Sequence, residues 1–305
     1  MHASKTNPAF SFVALLGATR PPFLILTPAC VFLGYATATL AAPQIDMMLF
    51  LLVLAGALCA HISVNAFNEY FDFKSGLDLH TTRTPFSGGS GSLPANPQMA
   101  RAVFYLAWSS LLITTLIGLY CLSLRGIALL PLGLFGVLVI LAYTPWITRH
   151  PLACLLAPGL GFGPLMVMGT HVVLSGEYNI SALLVSLTPF FLVNNLLLLN
   201  QFPDIDADRG VGRQHYPLLL GKQKASIIFG LFMLAAWLPI LVGMIIKILP
   251  INTLLGLLTL PVAIITAIAV YRNHHTIEKL LPWMGLNVVI NIATPVLTAT
   301  GILWS

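Results

Sequence analysis

The chain has 305 residues, of which 58% are hydrophobic and only 8% are charged, whereas a soluble domain carries about 25% charged residues. This composition excludes a soluble globular protein. The formal net charge of +5 does not indicate nucleic-acid binding, because the basic residues lie in short segments between apolar runs, where membrane proteins carry their orientation signals. We therefore predict a single membrane-embedded domain over residues 1–305, with the lipid bilayer and no nucleic acid as its partner.

Apolar runs long enough to cross a bilayer recur along the whole chain. A hydrocarbon core about 30 Å thick needs about 20 apolar residues in a helix. Residues 1–20 show no small-residue cleavage site before Arg20, so we predict that they stay on the protein as a segment at the membrane interface. After them we predict an all-α protein with nine transmembrane helices, at residues 22–41, 47–68, 101–124, 127–147, 152–174, 180–200, 225–247, 250–271 and 280–303.

The positions of Lys and Arg predict how these helices are oriented. Of the fourteen basic residues, all but Arg125 and Lys247 lie in the N-terminal segment or in the loops after the second, fourth, sixth and eighth predicted helices. Cytoplasmic segments are enriched in Lys and Arg. We therefore predict that the N-terminus and these loops face the cytoplasm, as in a bacterial inner membrane.

A first polar segment, NAFNEYFDFKSGLD, follows the second predicted helix and ends at Asp78. Residues four apart share one face of a helix, so His61, Asn65, Asn68 and Asp72 form one polar stripe. Polar groups at membrane depth usually face a bundle interior or a water-filled cavity. Hydrogen bonds between helices would explain His61 and Asn65 equally well, but they do not explain the two carboxylates.

A second polar segment, NQFPDIDADRGVGRQH, follows the sixth predicted helix. Asn200, Asp204 and Asp208 would line one face if the helix continues through Pro203, where we expect a kink. Asp206 points away from this face, so we predict that it is solvated. The same N-x-x-x-D pattern thus occurs at the ends of two helices that run in the same direction, which predicts two parallel pseudo-repeat half-bundles with a shared site between them.

The two clusters of side-chain oxygens predict a site for Mg²⁺ and a diphosphate. Facing carboxylates repel each other unless a cation lies between them, and Mg²⁺ is typically held by one or two carboxylates together with phosphate oxygens and water. Metal and basic side chains can neutralise the charge of a diphosphate that leaves an allylic carbon. The predicted metal ligands are Asn68, Asp72, Asp78, Asn200, Asp204 and Asp208, and the four aspartates among them are the predicted catalytic residues.

Basic residues near the two clusters are predicted to bind the diphosphate, and the alternative for each is a topology anchor. Lys74 and Arg83 are the stronger candidates because they lie within the first acidic loop. Arg209 and Arg213 follow the second cluster, and Arg149 lies on the neighbouring loop.

The two motifs, at residues 68, 72 and 78 and at residues 200, 204 and 208, resemble the signatures of the UbiA prenyltransferase superfamily. Further similar stretches include SGGSGSLP (87–94) and AYTPW (142–146), and within the superfamily the chain is most similar to the 1,4-dihydroxy-2-naphthoate polyprenyltransferases of menaquinone synthesis. The resemblance implies nine helices around a central cavity, capped on the cytoplasmic side by loop 2–3 (residues 69–100) and loop 6–7 (residues 201–224). It implies Mg²⁺ as cofactor, with polyprenyl diphosphate and a small aromatic acceptor as substrates. It also implies diphosphate binding by Tyr143 and Arg149, and a position for Arg20 near the entrance of the acceptor.

Alternatives remain at this stage for the acceptor and for the protein class. A naphthoate is the first candidate acceptor and a hydroxybenzoate or another phenolic acid is the second, because TPWITRHPLACLL (144–156) lacks the Gly-Glu stretch that is common in the naphthoate branch. Glu69 stands where many relatives carry Asp. A transporter could also show parallel repeats, but its ionisable groups would be expected near the middle of the membrane.

Overall fold

The structure is a computed structural model that describes residues 11–305, and all regular secondary structure in this range is helical. Residues 1–10 of the predicted interfacial segment lie outside the described part. The remainder of that segment forms α1 (Phe12–Ala18), which exposes Phe12, Val13 and Leu16 and buries Ala14 and Ala18. One side of α1 is therefore exposed and apolar, while its location at the membrane interface stays a prediction.

Eight helices of the described chain are long and apolar enough to cross a membrane. They are α2 (Pro21–Ala41), α3 (Met47–Ser75), α6 (Pro97–Arg125), α8 (Pro151–Ser175), α9 (Ile180–Asn200), α11 (Tyr216–Ile245), α12 (Ile251–Asn273) and α13 (Ile277–Leu303). A shorter apolar helix, α7 (Ile127–Ala142), lies between α6 and α8. The prediction of an all-helical membrane protein is confirmed, while the count of nine crossings depends on α7 and stays a prediction.

Local signals in the sequence determine where α3 begins and ends. The carboxylate of Asp46 accepts hydrogen bonds from the N–H groups of Met48 and Leu49 at 2.8 and 3.1 Å, which caps the first turn. The helix ends at Gly76, whose φ of 79° is the left-handed conformation that glycine adopts readily. As a result α3 extends seven residues beyond the predicted apolar span, and Asp72 lies on the helix instead of in a loop.

Two short helices after α3 and one after α9 complete the acidic segments. They are α4 (Leu77–His80), α5 (Ser92–Ala95) and α10 (Ile205–Gly210). α4 and α10 contact each other, so the segments that carry the two motifs meet in space.

Close packing against α9 fixes the course of α8. A Cβ atom at Gly159 or Gly163 would lie 2.1 Å from the carbonyl oxygen of Phe190 or 2.4 Å from that of Ser186, so only glycine permits this approach. Residues 161–168, which include Gly163, form a π-helical segment. This segment contains Pro164, which cannot donate a backbone hydrogen bond. Phe162, Leu165 and Met166 of this segment face a large cavity.

The helices form a closed bundle, because the first spanning helix contacts the last: α2 packs against α13 as well as against α3 and α8. A buried cluster around Phe202, Phe229 and Trp237 unites α9 with α11, α12 and α13. The described residues that line the large cavity run from Arg20, directly before α2, to His215, directly before α11. The predicted ring of nine helices around the cavity is therefore not confirmed, since α11, α12 and α13 pack with α9 and add no residue to this lining.

Candidate functional site

A cavity of about 630 Å³ runs between α3, α6, α7, α8 and α9. Most of its wall is aliphatic, with side chains such as Leu119, Leu130 and Val137. Its aspartate and arginine side chains belong to the two acidic segments, to the residue before α2 and to the segment before α11. The polar side chains in this wall include Arg20, Asn65, Asn68, Asp72, Asp78, Tyr143, Asn200, Asp204, Asp208, Arg213 and His215.

The two acidic clusters are joined by one arginine. The guanidinium of Arg213 donates to Asp208 Oδ1 at 3.1 Å and also contacts Asp72 Oδ1. Burial by itself would lower the pKa of Arg213, but the two carboxylates raise it above its ordinary value. The structure therefore brings the two motifs together as predicted, and the positive charge of Arg213 lies between Asp72 and Asp208.

Two further carboxylates of the clusters lack partners for one of their oxygens. Asp78 Oδ2 and Asp204 Oδ1 are buried and accept no hydrogen bond. Burial and, to a smaller extent, neighbouring acidic groups together raise the pKa of Asp78 and that of Asp204 to about 7; the neighbours are Glu69 and Asp72 for Asp78, and Asp208 for Asp204. An unpaired buried carboxylate is costly, so these two oxygens are suited to a cation.

The donor set fits Mg²⁺ that also binds water and phosphate oxygens. Within residues 11–305 no three His, Cys, Asp or Glu side chains are close enough to form a metal site by themselves. Mg²⁺ normally keeps several waters and uses only one or two carboxylates with substrate phosphates. Two unpartnered oxygens on facing segments therefore suit Mg²⁺ better than they suit a metal ion that is held by protein ligands alone.

The amides of the motifs lie beside these carboxylates. Asn68 Nδ2 donates to Thr144 Oγ1 at 3.2 Å, which fixes the orientation of the amide and leaves its carbonyl oxygen available to a ligand. Asn200 is the last residue of α9 and faces the cavity.

The second motif does not form the continuous helix face expected from its spacing. Residues 201–204 form a turn, and Asp204 lies at the N-terminal cap of α10 with φ −94° and ψ 0°. The physical reason is Pro203, because the residue before a proline is disfavoured in the helical region. The turn directs one oxygen of Asp204 to the N–H of Gly88 at 3.2 Å. Asp206 is solvated as predicted, with a side chain that is 97% exposed.

The predicted basic residues divide into two groups. Arg20 and Arg213 line the cavity, as does Tyr143, whereas Lys74, Arg83, Arg149 and Arg209 are exposed and do not. The side chains of three of them contact other groups: Lys74 lies 5.9 Å from the ring centre of Tyr70, Arg83 donates to the carbonyl oxygen of Ser90 at 3.1 Å, and Arg209 lies 3.8 Å from Asp206. Their roles toward a substrate stay predictions.

His61 and Asn65 are explained by contacts between helices. His61 shares a hydrogen bond of 2.8 Å with Thr27 Oγ1, and Asn65 donates to the carbonyl oxygen of Thr19 at 2.9 Å. His61 thus joins α3 to α2, and Asn65 joins α3 to the end of α1. This is the alternative considered from the sequence, although both side chains also border the cavity.

His215 is a site residue that spacing alone did not indicate. Its Nδ1 accepts a hydrogen bond from the N–H of Leu218 at 3.3 Å, so the proton lies on Nε2, which is 3.0 Å from Asp208 Oδ2. His215 thus contacts Oδ2 of Asp208, while Arg213 contacts Oδ1. The sequence contains one signal for the position of His215: it directly precedes Tyr216 and Pro217, and a proline in the first turn marks the start of a helix.

Comparison with known proteins identifies the family of the chain. The profile of the UbiA prenyltransferase family matches residues 25–284. The chain is 29% identical over 213 residues to the 1,4-dihydroxy-2-naphthoate octaprenyltransferase of Bacillus subtilis (strain 168), and this match covers 68% of the chain and 66% of that relative.

Two solved structures share the fold. A UbiA homolog from Aeropyrum pernix K1, in its apo form, superimposes with a TM-score of 0.68 at 18% identity, over 92% of this chain and 97% of that one. A UbiA homolog from Archaeoglobus fulgidus bound to DMAPP and Mg²⁺ gives a TM-score of 0.58 at 14% identity, over 94% and 99% of the two chains. With a family profile that matches most of its length, the chain belongs to the UbiA prenyltransferase family, whose members are membrane-embedded enzymes that transfer prenyl groups.

Proposed function

We propose that this protein transfers a polyprenyl chain from its diphosphate to a small aromatic acceptor in a reaction that requires Mg²⁺. The observation that carries the proposal is the pair of buried, unpartnered carboxylate oxygens on Asp78 and Asp204 beside an aliphatic cavity. The aliphatic wall suits an isoprenoid chain, while the acidic segments suit a metal-bound diphosphate. The Archaeoglobus relative bound to DMAPP and Mg²⁺ supports this assignment.

In this proposal the metal supplies neutralisation of the charge that develops on the departing diphosphate. The proposed metal ligands are Asp72, Asp78, Asp204 and Asp208 with the amides Asn68 and Asn200. Arg213 holds Asp72 and Asp208 at a fixed separation before the substrate arrives. Such preorganised charge is effective in a site with little water.

The reaction breaks the bond between the allylic carbon and the diphosphate oxygen, and the electron pair leaves with the diphosphate. A carbon of the electron-rich ring then forms a bond to the allylic carbon, and loss of a ring proton or substituent restores aromaticity. In this proposal Tyr143 and Arg213 bind diphosphate oxygens and Arg20 contacts the acceptor, which their positions in the cavity wall support. The exposed Lys74, Arg83, Arg149 and Arg209 form a basic rim that attracts the anionic substrate by long-range electrostatics.

The proposed acceptor is 1,4-dihydroxy-2-naphthoate in quinone biosynthesis, which the Bacillus relative supports. A hydroxybenzoate or another phenolic acid is the alternative. We also propose that α7 is the ninth crossing of a cytoplasmic membrane and that the N-terminus and both acidic segments face the cytoplasm, because nearly all basic residues lie on that side. In this arrangement the residues between α3 and α6 and between α9 and α11 form the cytoplasmic cap.

The experiment supplies purified protein in lipid vesicles with a prenyl diphosphate and Mg²⁺, offers a panel of naphthoates and hydroxybenzoates, and identifies products by mass. Asp72→Asn and Asp204→Asn should lose transfer by a factor of about 1,000 or more, as expected for removal of a group that stabilises the leaving charge. Asp206→Asn, which changes an exposed carboxylate two residues after Asp204, should keep full activity. Full transfer by both site variants would refute the proposed metal roles, whereas no product with any acceptor would refute the proposed reaction and leave a membrane transporter as the alternative.

A further inference from the structure

Glu69 is a completely buried carboxylate that is held by two partners. It is 0% exposed. Its Oε1 accepts hydrogen bonds from Nε of Arg20 at 2.9 Å and from the N–H of Ser90 at 2.7 Å, and lies 2.8 Å from Nη2 of Arg20 in an ion pair; its Oε2 accepts a hydrogen bond from the hydroxyl of Ser90 at 2.8 Å. Although Glu69 follows Asn68 directly in the motif, its carboxylate is held by Arg20 and Ser90 and does not line the cavity.

The first partner of Glu69 is held in an unusual backbone conformation. Arg20 has φ 53° and ψ 62°, a left-handed conformation that is uncommon outside glycine, and Pro21 follows it. The carbonyl oxygen of the preceding Thr19 accepts a hydrogen bond from Asn65. Strained backbone of this kind persists where surrounding contacts impose it. Here both contacts come from α3, and together they turn the guanidinium of Arg20 to the cavity.

The second partner belongs to the segment that covers the unpartnered carboxylates. We call residues 84–91 the glycine loop. Its Gly88 donates its N–H to Asp204, and its Gly89, with φ 71°, lies so near Asp78 that a Cβ atom would be 2.7 Å from Oδ1. Ser90, the next residue, is the one bound by Glu69. A single carboxylate therefore anchors the loop that contacts the second acidic cluster and the end of the first.

We propose that Glu69 is a positioning residue that fixes Arg20 and the glycine loop relative to each other, and that it is not a metal ligand. This inference rests on the proposed function for its catalytic consequence, because Arg20 is the proposed acceptor contact and the glycine loop adjoins the proposed metal ligands. Glutamate suits the role better than aspartate, since its additional methylene lets one carboxylate reach both partners from α3. Loss of the anchor should loosen both contacts at once.

The test compares Glu69→Gln with Glu177→Gln, the same change at an exposed position, in the full-length protein in vesicles. The amide keeps the length of the side chain but loses the charge and turns one acceptor into a donor. Hydrogen exchange of residues 84–91 and of residues 17–20 should accelerate about 10- to 100-fold, the effect of losing one or two charge-assisted hydrogen bonds. The value of kcat/KM should fall by a similar factor while the Mg²⁺ concentration for half-maximal activity stays within about twofold of wild type. Glu177→Gln should change none of these.

Ser90→Ala provides a milder second variant that keeps the bond from the N–H of Ser90 to Glu69 and removes the two bonds of the hydroxyl, one to Glu69 and one from the N–H of Ser92 at 3.1 Å. It should accelerate exchange of the glycine loop by about 3- to 10-fold and leave residues 17–20 unchanged, so it tests the anchor even if Glu69→Gln fails to insert. A tenfold or larger rise in the Mg²⁺ requirement of Glu69→Gln, or unchanged exchange in either segment, would overturn the inference. If the wild type shows no prenyl transfer, the proposed function fails, while the exchange measurements still decide whether Glu69 couples the two segments.

Discussion

Lowering the pH from 8 to 6 should weaken Mg²⁺ binding to this protein by about 100-fold. The reason is that burial raises the pKa of Asp78 and of Asp204 to about 7, and each has an oxygen without a partner. A carboxylate must be deprotonated to bind a metal ion, so protons and Mg²⁺ compete for both groups.

The size of the effect follows from the two ionisation equilibria. With a pKa of about 7, each carboxyl is about 90% ionised at pH 8 and about 10% ionised at pH 6. The fraction of molecules with both groups ionised therefore falls from about 80% to about 1%. At pH 7, where each group is half protonated, binding of one Mg²⁺ should release about one proton in total.

Isothermal titration calorimetry of the detergent-solubilised protein measures both quantities, if it is repeated in buffers of different ionisation enthalpy. Asp78→Asn should reduce the pH effect from about 100-fold to about tenfold, because only one titrating ligand remains. Asp206→Asn should leave the pH effect unchanged, since that carboxylate is almost fully exposed. An affinity that changes less than threefold between pH 6 and pH 8, or binding without proton release, would refute the reasoning.

Three further predictions concern the same residues. Gly89→Ala should weaken Mg²⁺ binding about tenfold or more, because a Cβ atom there would displace Asp78. The control Gly210→Ala should bind Mg²⁺ like wild type, because a Cβ atom there meets nothing within 4 Å. Equal Mg²⁺ affinities of the two variants in calorimetry would contradict this prediction. Arg213→Lys should lower kcat/KM about 10- to 100-fold, because lysine cannot bridge two carboxylates with a planar fork, and steady-state kinetics with wild-type values would argue against the bridge. Because the pKa values of Asp78 and Asp204 are raised, the metal-free folded protein binds protons more tightly than the unfolded chain. The free energy of unfolding should therefore fall as the pH rises from about 4 to about 7, and Mg²⁺ should restore it. Thermal unfolding that shows the opposite dependence on pH would exclude this linkage.

Hydropathy was sufficient to predict a helical membrane protein, but not where the helices end. The apolar run of α3 stops near residue 68, yet the helix continues to Ser75 because nothing interrupts it before Gly76. The reverse holds after α9, where Pro203 breaks a pattern that looked helical and turns Asp204 to the glycine loop. Local backbone signals, rather than apolar periodicity, decided both cases.

The acidic residues of the site could be predicted from their spacing, whereas the arginine that pairs with them could not. Arg209 and Arg213 both follow the second motif, and no feature of the sequence separates them. The structure buries Arg213 between Asp72 and Asp208 and leaves Arg209 66% exposed. Asp72 and Arg213 are 141 residues apart, so their contact depends on how α3 and the segment before α11 pack, which residue spacing does not encode.

The most direct test of the central claim is the position of the metal. Crystals grown with Mn²⁺ in place of Mg²⁺ and a non-hydrolysable prenyl diphosphate analogue allow the metal to be located by anomalous diffraction. We predict metal peaks within about 2.2 Å of carboxylate oxygens from both acidic segments, with Asp78 and Asp204 among the ligands and the diphosphate bound to the same ions. Metal peaks that contact neither segment, or a diphosphate bound away from both, would contradict the account.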